Sequence, residues 1–320
     1  MMLYCVLSAV MRPWQIDMNL AQTIELFCTG TSEGAKKAWD ERGRAGKPNG
    51  LVYNTEKKSW ETSDGGKLPE HLKGIRIPPA WQNVEYASDP GADLLVKGED
   101  IKGRRQAIYS ARFVKQNADA KFARIKELDD KFDKISAEVK SDADKGVEEA
   151  AVLRLIMHTG IRPGSENETG GAKKAYGATT LRSYHVTGDE DNVRLKFVGK
   201  KGVNISVKVN DPEIKKDLLS RKEKAGPKEP IFNTSSGKLL EYTHSKDGGA
   251  FKTKDFRTLL GTRIATAMVS KMRTPKTEKD YKKSVREVAD KVAKQLGNTR
   301  TIALQSYIHP TVFSQWRKAA

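Results

Sequence analysis

N-V-R-L-K-F-V-G-K-K-G-V-N-I-S-V-K-V, residues 192–209, alternates apolar and polar side chains on either side of Gly199-Lys200-Lys201-Gly202. Alternation with period two marks strands, and a glycine-flanked polar pair marks the turn between them. The run Thr180 to Val186, set off by Gly188-Asp-Glu-Asp191, supplies a further strand, so a three-stranded antiparallel pattern is expected. Its surroundings are helical. Ahead of it, Phe122, Ile125, Leu128, Phe132 and Ile135 recur at spacings of three and four, which predicts an amphipathic helix over about 117–140. A second helix is expected over 145–159, stopping at Gly160, and more helices over 211–224, 254–271, 278–296 and 310–319.

Further upstream the pattern changes again. Leu51-Val52-Tyr53, Val84-Glu85-Tyr86, Leu94-Leu95-Val96 and Gln106 to Phe113 are short apolar runs separated by Gly, Pro and Asp. They read as a small, mostly β module. Residues 33–44 look helical, with Ser32 as a candidate cap, and A-G-K-P-N-G (45–50) breaks the chain after them. The expected organisation is α+β: an extension of unassigned role over 1–48, a β domain over 49–115 and a mainly helical domain with a three-stranded sheet over 116–320.

Composition narrows the partners. Lys and Arg number 58 against 41 Asp and Glu, a formal charge of +17 over 320 residues. Such a balance points to a polyanion, most often nucleic acid, or to a plainly solvated basic surface. Cys5 and Cys28 are the only cysteines, in neither metal-ligand nor redox spacing, which fits a reducing cytoplasm and excludes a disulfide scaffold. No run approaches the ~18 apolar residues of a membrane span.

One ordered set of polar residues could carry chemistry. Arg162 lies in H-T-G-I-R-P-G, Lys200 in F-V-G-K, Arg257 in T-K-D-F-R-T, Asn298 in L-G-N-T and Tyr307 in Q-S-Y-I-H-P. Each has an ordinary reading too: Arg162 as a charge after a helix stop, Lys200 as a solvated turn, Arg257 as a partner of Asp255, Asn298 as part of a helix C-terminus, Tyr307 as a half-buried phenol. Together they suit a phosphate-centred reaction. Guanidiniums clamp phosphoryl oxygens bidentately, an ammonium can protonate a leaving alkoxide, an amide adds a hydrogen bond, and a phenol can attack.

The set resembles that of the compact type IB DNA topoisomerases of poxviruses and bacteria, over about residues 50–315. The family's T-x-x-R-x-G-type segment, F-x-G-K, K-D-x-R-T and L-G-[HN]-T are matched at Arg162, Lys200, Arg257 and Asn298, and the tyrosine follows nine residues after Asn298. Ile75 to Trp81 resembles R-I-P-P-A-W, and Lys102-Gly-Arg-Arg-Gln106 resembles K-G-R-R-Q, with Tyr109 matching the aromatic beyond it. The resemblance implies Tyr307 as nucleophile, with Arg162, Lys200, Arg257 and Asn298 catalytic. It implies DNA contacts from Arg104, Arg105, Gln106 and Tyr109, in a β module that closes over the opposite side of the duplex. It implies a monomer that relaxes positive and negative supercoils through a 3′-phosphotyrosyl link, with no ATP, metal or other cofactor, in the cytoplasm or nucleoid, or in the virion or host cytoplasm if viral. Two positions depart from viral relatives: Asn298 replaces a histidine, and Ala107 stands where an aromatic contacts DNA.

Two rival readings remain. A tyrosine recombinase or integrase shares the catalytic domain and chemistry, but usually carries H-x-x-R at the second arginine, where this chain has Lys254, and usually begins with a helical module. A non-catalytic basic DNA-binding protein accounts for the charge but not for five ordered residues.

Overall fold

The computed structural model describes residues 48–165, 174–246 and 250–317. The expected helix over 33–44 and both cysteines lie outside the described residues. The chain divides into two compact units, the first ending at Ala120 and the second beginning at Lys121.

The first unit is built on five antiparallel strands in the order β2-β1-β3-β4-β5. They are β1 (Pro48–Asn54), β2 (Ser59–Thr62), β3 (Gln82–Ala87), β4 (Leu94–Glu99) and β5 (Arg105–Tyr109). Strand β2 is an addition to the expected set; its S-W-E-T is too short and polar to stand out alone. Leu51, Val84, Leu95, Val96 and Ile108 form one core with Leu72 and Ile77. The R-I-P-P-A-W segment is tied to that core: Ile77 is buried and its carbonyl accepts a hydrogen bond from the Trp60 indole at 3.1 Å.

Helix α1 (Ala111–Asp144) starts earlier than its periodicity suggests, because Ser110 Oγ accepts the Phe113 N–H at 3.2 Å and caps it. The expected strand therefore ends at Tyr109 and not at Phe113. Within the second unit Ile125, Leu128, Ile135 and Val139 of α1 share one core with α2 (Glu148–Thr159), a helix buried on nearly every side. The three-stranded sheet is present in the order β6-β7-β8: β6 (Val186–Thr187), β7 (Arg194–Val198) and β8 (Asn204–Lys208). Strand β6 has only two residues where seven were expected. Residues before it fold as 3-10 turns, Ala178–Thr180 and Ser183–His185, and the stretch around Arg182 bridges Pro230 instead.

Helices α3 (Pro212–Lys224), α4 (Ser236–Ser245), α5 (Thr253–Val269), α6 (Glu278–Leu296) and α7 (Arg300–Ser306) complete the unit, followed by a 3-10 turn, Pro310–Phe313, and the short α8 (Ser314–Arg317). Helices α4 and α7 were not among those expected, and over its described residues the expected helix of 310–319 is a 3-10 turn, Pro310–Phe313, and then α-helix, Ser314–Arg317. A second core joins α5, α6 and α7 to Ile308, Phe313 and Trp316, with Tyr307 packed at its edge. Val288, Ala289, Val292 and Ala293 face this core, while Lys282, Lys283, Arg286, Lys291 and Lys294 on α6 are exposed. These five basic residues make a solvated helix face. No helix among the described residues is long and apolar enough to cross a membrane.

Candidate active site

Helix α2 delivers Arg162. It ends at Gly160 in the left-handed conformation, with the Gly160 N–H closing on Ile156 O. The next residues are held by a second segment: Ala178 N–H donates to Arg162 O and Thr179 N–H to Pro163 O, both at 2.8 Å. The two backbones touch at Gly177, where a Cβ would lie 2.5 Å from Gly164 Cα and 2.7 Å from Arg162 O. Glycine at 177 is what allows the approach that fixes Arg162.

Helix α5 delivers Arg257 and also seats Tyr307. Asp255 is buried and bound bidentately by Arg124, at 2.7 and 3.1 Å. Arg257 is 2% exposed, and its guanidinium donates to the carbonyls of Gly160 and Leu296, at the C-terminal ends of α2 and α6. Both helix ends carry partial negative charge, which suits a buried cation. Its Cζ lies 4.9 Å from the centroid of the Tyr307 ring, a cation–π distance. One turn on, Gly261 leaves room for Tyr307: a Cβ there would lie 2.7 Å from Tyr307 O and 3.1 Å from Tyr307 Cβ. Thr262 Oγ1 donates to Tyr307 O at 3.2 Å and accepts the His309 N–H at 3.1 Å. The tyrosine backbone is therefore clasped on both sides by the helix that carries Arg257.

The L-G-N-T segment links α6 to α7. Gly297 ends α6 in the left-handed conformation, Thr299 caps α7, and Asn298 lies between them. Asn298 Oδ1 accepts from Arg162 Nη2 at 3.0 Å. Arginine only donates, so this bond settles the amide orientation and directs Nδ2 elsewhere. Nδ2 is buried and has no hydrogen-bond partner among the described residues. A buried unsatisfied donor is costly and fits a site waiting for an acceptor. Lys200 stands exposed in the β7–β8 turn, Lys200–Gly202, held by the bond from Gly199 N to Val203 O at 2.7 Å. Arg162, Lys200 and Arg257 together line one partly open cavity, with Gly160, Phe197, Gly199 and Leu296. The five residues thus converge: three cations on one cavity, Asn298 hydrogen-bonded to the first, and Tyr307 beneath the third. Among the described residues no group of three or more His, Cys, Asp or Glu is placed to hold a metal ion.

In the first unit, the K-G-R-R-Q hairpin is organised by a residue the sequence did not single out. Asp100 Oδ1 accepts the Lys102 and Arg104 N–H groups, and Oδ2 accepts from Arg104 Nε at 2.7 Å and Gln106 Nε2 at 3.1 Å. The Arg104 hydrogen bond is the main reason the Asp100 carboxyl is held below its usual pKa. Gln106 is buried, Arg104 and Arg105 are exposed, and Tyr109 packs on Phe113 at 5.1 Å between centroids. The missed residues share one trait: Asp100, Gly177, Gly261 and Thr262 act by holding others. Only the D-x-x-G turn around Asp100 left a local signal.

Residues 110–319 match a family model described as eukaryotic DNA topoisomerase I, catalytic core. DNA topoisomerase 1B of Acanthamoeba polyphaga mimivirus is 26% identical over 260 residues, covering 75% of this chain and 77% of the relative. DNA topoisomerase I of Monkeypox virus and DNA topoisomerase 1B of Vaccinia virus (strain Western Reserve) are each 27% identical over 273 residues, covering 78% of this chain and 82% of theirs. These matches decide between the enzymatic readings and against a purely binding role. A catalytic-core match over most of the chain, continuous with the cavity just described, means that this chain belongs to the DNA topoisomerase I family and is an enzyme of type IB acting on DNA.

Proposed function

We propose that the chain relaxes supercoiled duplex DNA by transient nicking, with Tyr307 as nucleophile and Arg162, Lys200, Arg257 and Asn298 as its catalytic partners. The observation that carries this reading is the convergence of three cations on one cavity, with Tyr307 under Arg257 and Asn298 on Arg162. The Tyr307 oxygen attacks a backbone phosphorus, its proton passes to water, and the bond from phosphorus to the 5′-oxygen breaks. Arg162 and Arg257 neutralise the phosphoryl oxygens as charge builds, and the unpartnered Asn298 amide donates to one of them. Lys200 protonates the departing 5′-oxygen. The product is a 3′-phosphotyrosyl link and a 5′-hydroxyl end. After rotation about the intact strand, the 5′-hydroxyl attacks the link and restores both DNA and tyrosine. The phosphodiester is exchanged and not hydrolysed, so no nucleotide is consumed, and fixed cations supply the charge that a metal supplies elsewhere.

The first unit contributes Arg104, Arg105, Gln106 and Tyr109 as contacts to DNA, in a monomer that clamps the duplex. The whole chain's charge of +17 supplies sequence-independent phosphate contacts. Its place of work is the cytoplasm or nucleoid of a cell, or a virion or host cytoplasm. The test is plasmid relaxation in EDTA without nucleotide, with wild-type protein and Tyr307→Phe. Relaxation of both supercoil signs by wild type alone is expected. Activity surviving in Tyr307→Phe, or requiring added magnesium, overturns the proposal.

A further inference from the structure

We infer that Tyr176 and Tyr184 form a phenol pair that extends the cation-lined cavity along the DNA backbone, Tyr176 donating to a phosphate oxygen and Tyr184 fixing its hydroxyl. The inference rests on the site reading above and adds a contact to it. Tyr176 lines the same cavity as Arg162, Lys200 and Arg257. It is placed between two of them: its N–H donates to Val198 O at 2.8 Å, two residues before Lys200, and it directly precedes Gly177, which clasps the Arg162 segment.

Its hydroxyl is orientated. Tyr184 Oη donates to Tyr176 Oη at 3.1 Å. A phenol has one proton, so an oxygen that accepts from Tyr184 must direct its own O–H to another acceptor. Both rings stand edge-on to His185, at 4.4 and 4.3 Å between centroids. His185 is itself buried, with Nδ1 accepting the Arg182 N–H at 3.0 Å. A rigid ring thus supports the pair from behind. Tyr184 is 49% exposed, a large aromatic left at the surface beside a cationic cavity. An aromatic body with a polar tip suits a wet boundary where a sugar–phosphate chain runs past.

A neutral donor predicts a particular signature: it adds affinity at one phosphate without adding to the salt dependence. The test is made in the Tyr307→Phe background, where binding is measured without covalent chemistry. The probe is a short duplex spanning a cleavage site mapped with the wild type, with phosphates replaced singly by methylphosphonate. Tyr176→Phe keeps the ring and removes the donor, and an affinity loss of about tenfold is expected at unchanged salt slope. Tyr184→Phe loses less, and the double variant loses no more than Tyr176→Phe, because Tyr184 acts through Tyr176. One methylphosphonate position erases the Tyr176→Phe difference. Affinity within twofold of the parent, a loss equal at every phosphate, or single losses that multiply in the double variant overturns the inference. Failure of the nucleophile assignment shows separately, as a covalent adduct that forms without Tyr307.

Discussion

A methyl group added at position 261 sets two effects against each other. Gly261 lies inside helix α5, where alanine is favoured over glycine by about 1 kcal/mol on propensity alone. Its Cβ would lie 2.7 Å from the Tyr307 carbonyl oxygen and 3.1 Å from both Tyr307 Cβ and Leu296 Cδ1. Ordinary contact begins near 3.4 Å, and the closest of these atoms is backbone, so the Tyr307 peptide must retreat by about 0.7 Å. Overpacking of this kind costs about 1–3 kcal/mol, so Gly261→Ala is expected to be neutral to about 2 kcal/mol less stable. The larger effect is on chemistry. A shift approaching 1 Å at a reacting group costs about a hundredfold in rate, and the Thr262–Tyr307 hydrogen bond is stretched with it. Single-turnover cleavage of a duplex under saturating protein is expected to slow by about 30- to 100-fold, with affinity within about twofold. Gly237→Ala is the control: that exposed helical glycine meets only Ser235 Oγ, at 3.7 Å, and its change leaves cleavage untouched. A Gly261→Ala protein that is more stable than the parent and cleaves at the parental rate would refute the claim that this close approach sets the nucleophile.

Asn298 and His185 give further expected outcomes. Asn298→Ala removes an oriented donor and strands the Arg162 bond, so single-turnover cleavage falls about a hundredfold; Asn298→His instead makes cleavage rise as pH falls through about 6.5, a dependence this position cannot give in the parent. His185 is held neutral to about pH 4, first by burial and then by Arg182. Below about 6.5 the unfolded chain takes up a proton that the folded one refuses, so stability present at neutral pH is lost as pH falls, by about 2 kcal/mol at pH 5. His158 and His309, also lowered chiefly by burial, act in the same sense. Denaturant unfolding of His185→Gln against the parent at both pH values checks this: the variant is expected to lose less stability on acidification.

The five residues that the structure brings together were legible as candidates because they are polar residues inside short, distinctive contexts, and the turn that carries Lys200 follows from alternation and glycine alone. The amphipathic helices were legible for the same kind of reason: α6 shows its buried face at regular spacing. What periodicity could not show was pairing between distant segments. Residues 181–183 look like a strand but bond to 229–231, which leaves β6 with two residues. Helix α7 is seven residues long, set by the Thr299 cap and by packing of Ala303, too short for a pattern. The supports of the site escaped for a related reason. Gly261 and Gly177 matter through what a side chain would strike, and Thr262 and Asp100 through the backbone they hold.

Trapping the covalent adduct reveals which residue attacks DNA and which end it holds. Wild-type protein incubated with a duplex whose nicked product cannot religate is digested, and the linked peptide and DNA end are identified by mass spectrometry. The expected product is Tyr307 joined to a 3′-phosphate, with a free 5′-hydroxyl on the released strand. A link to the 5′ end, or to any residue other than Tyr307, contradicts the account.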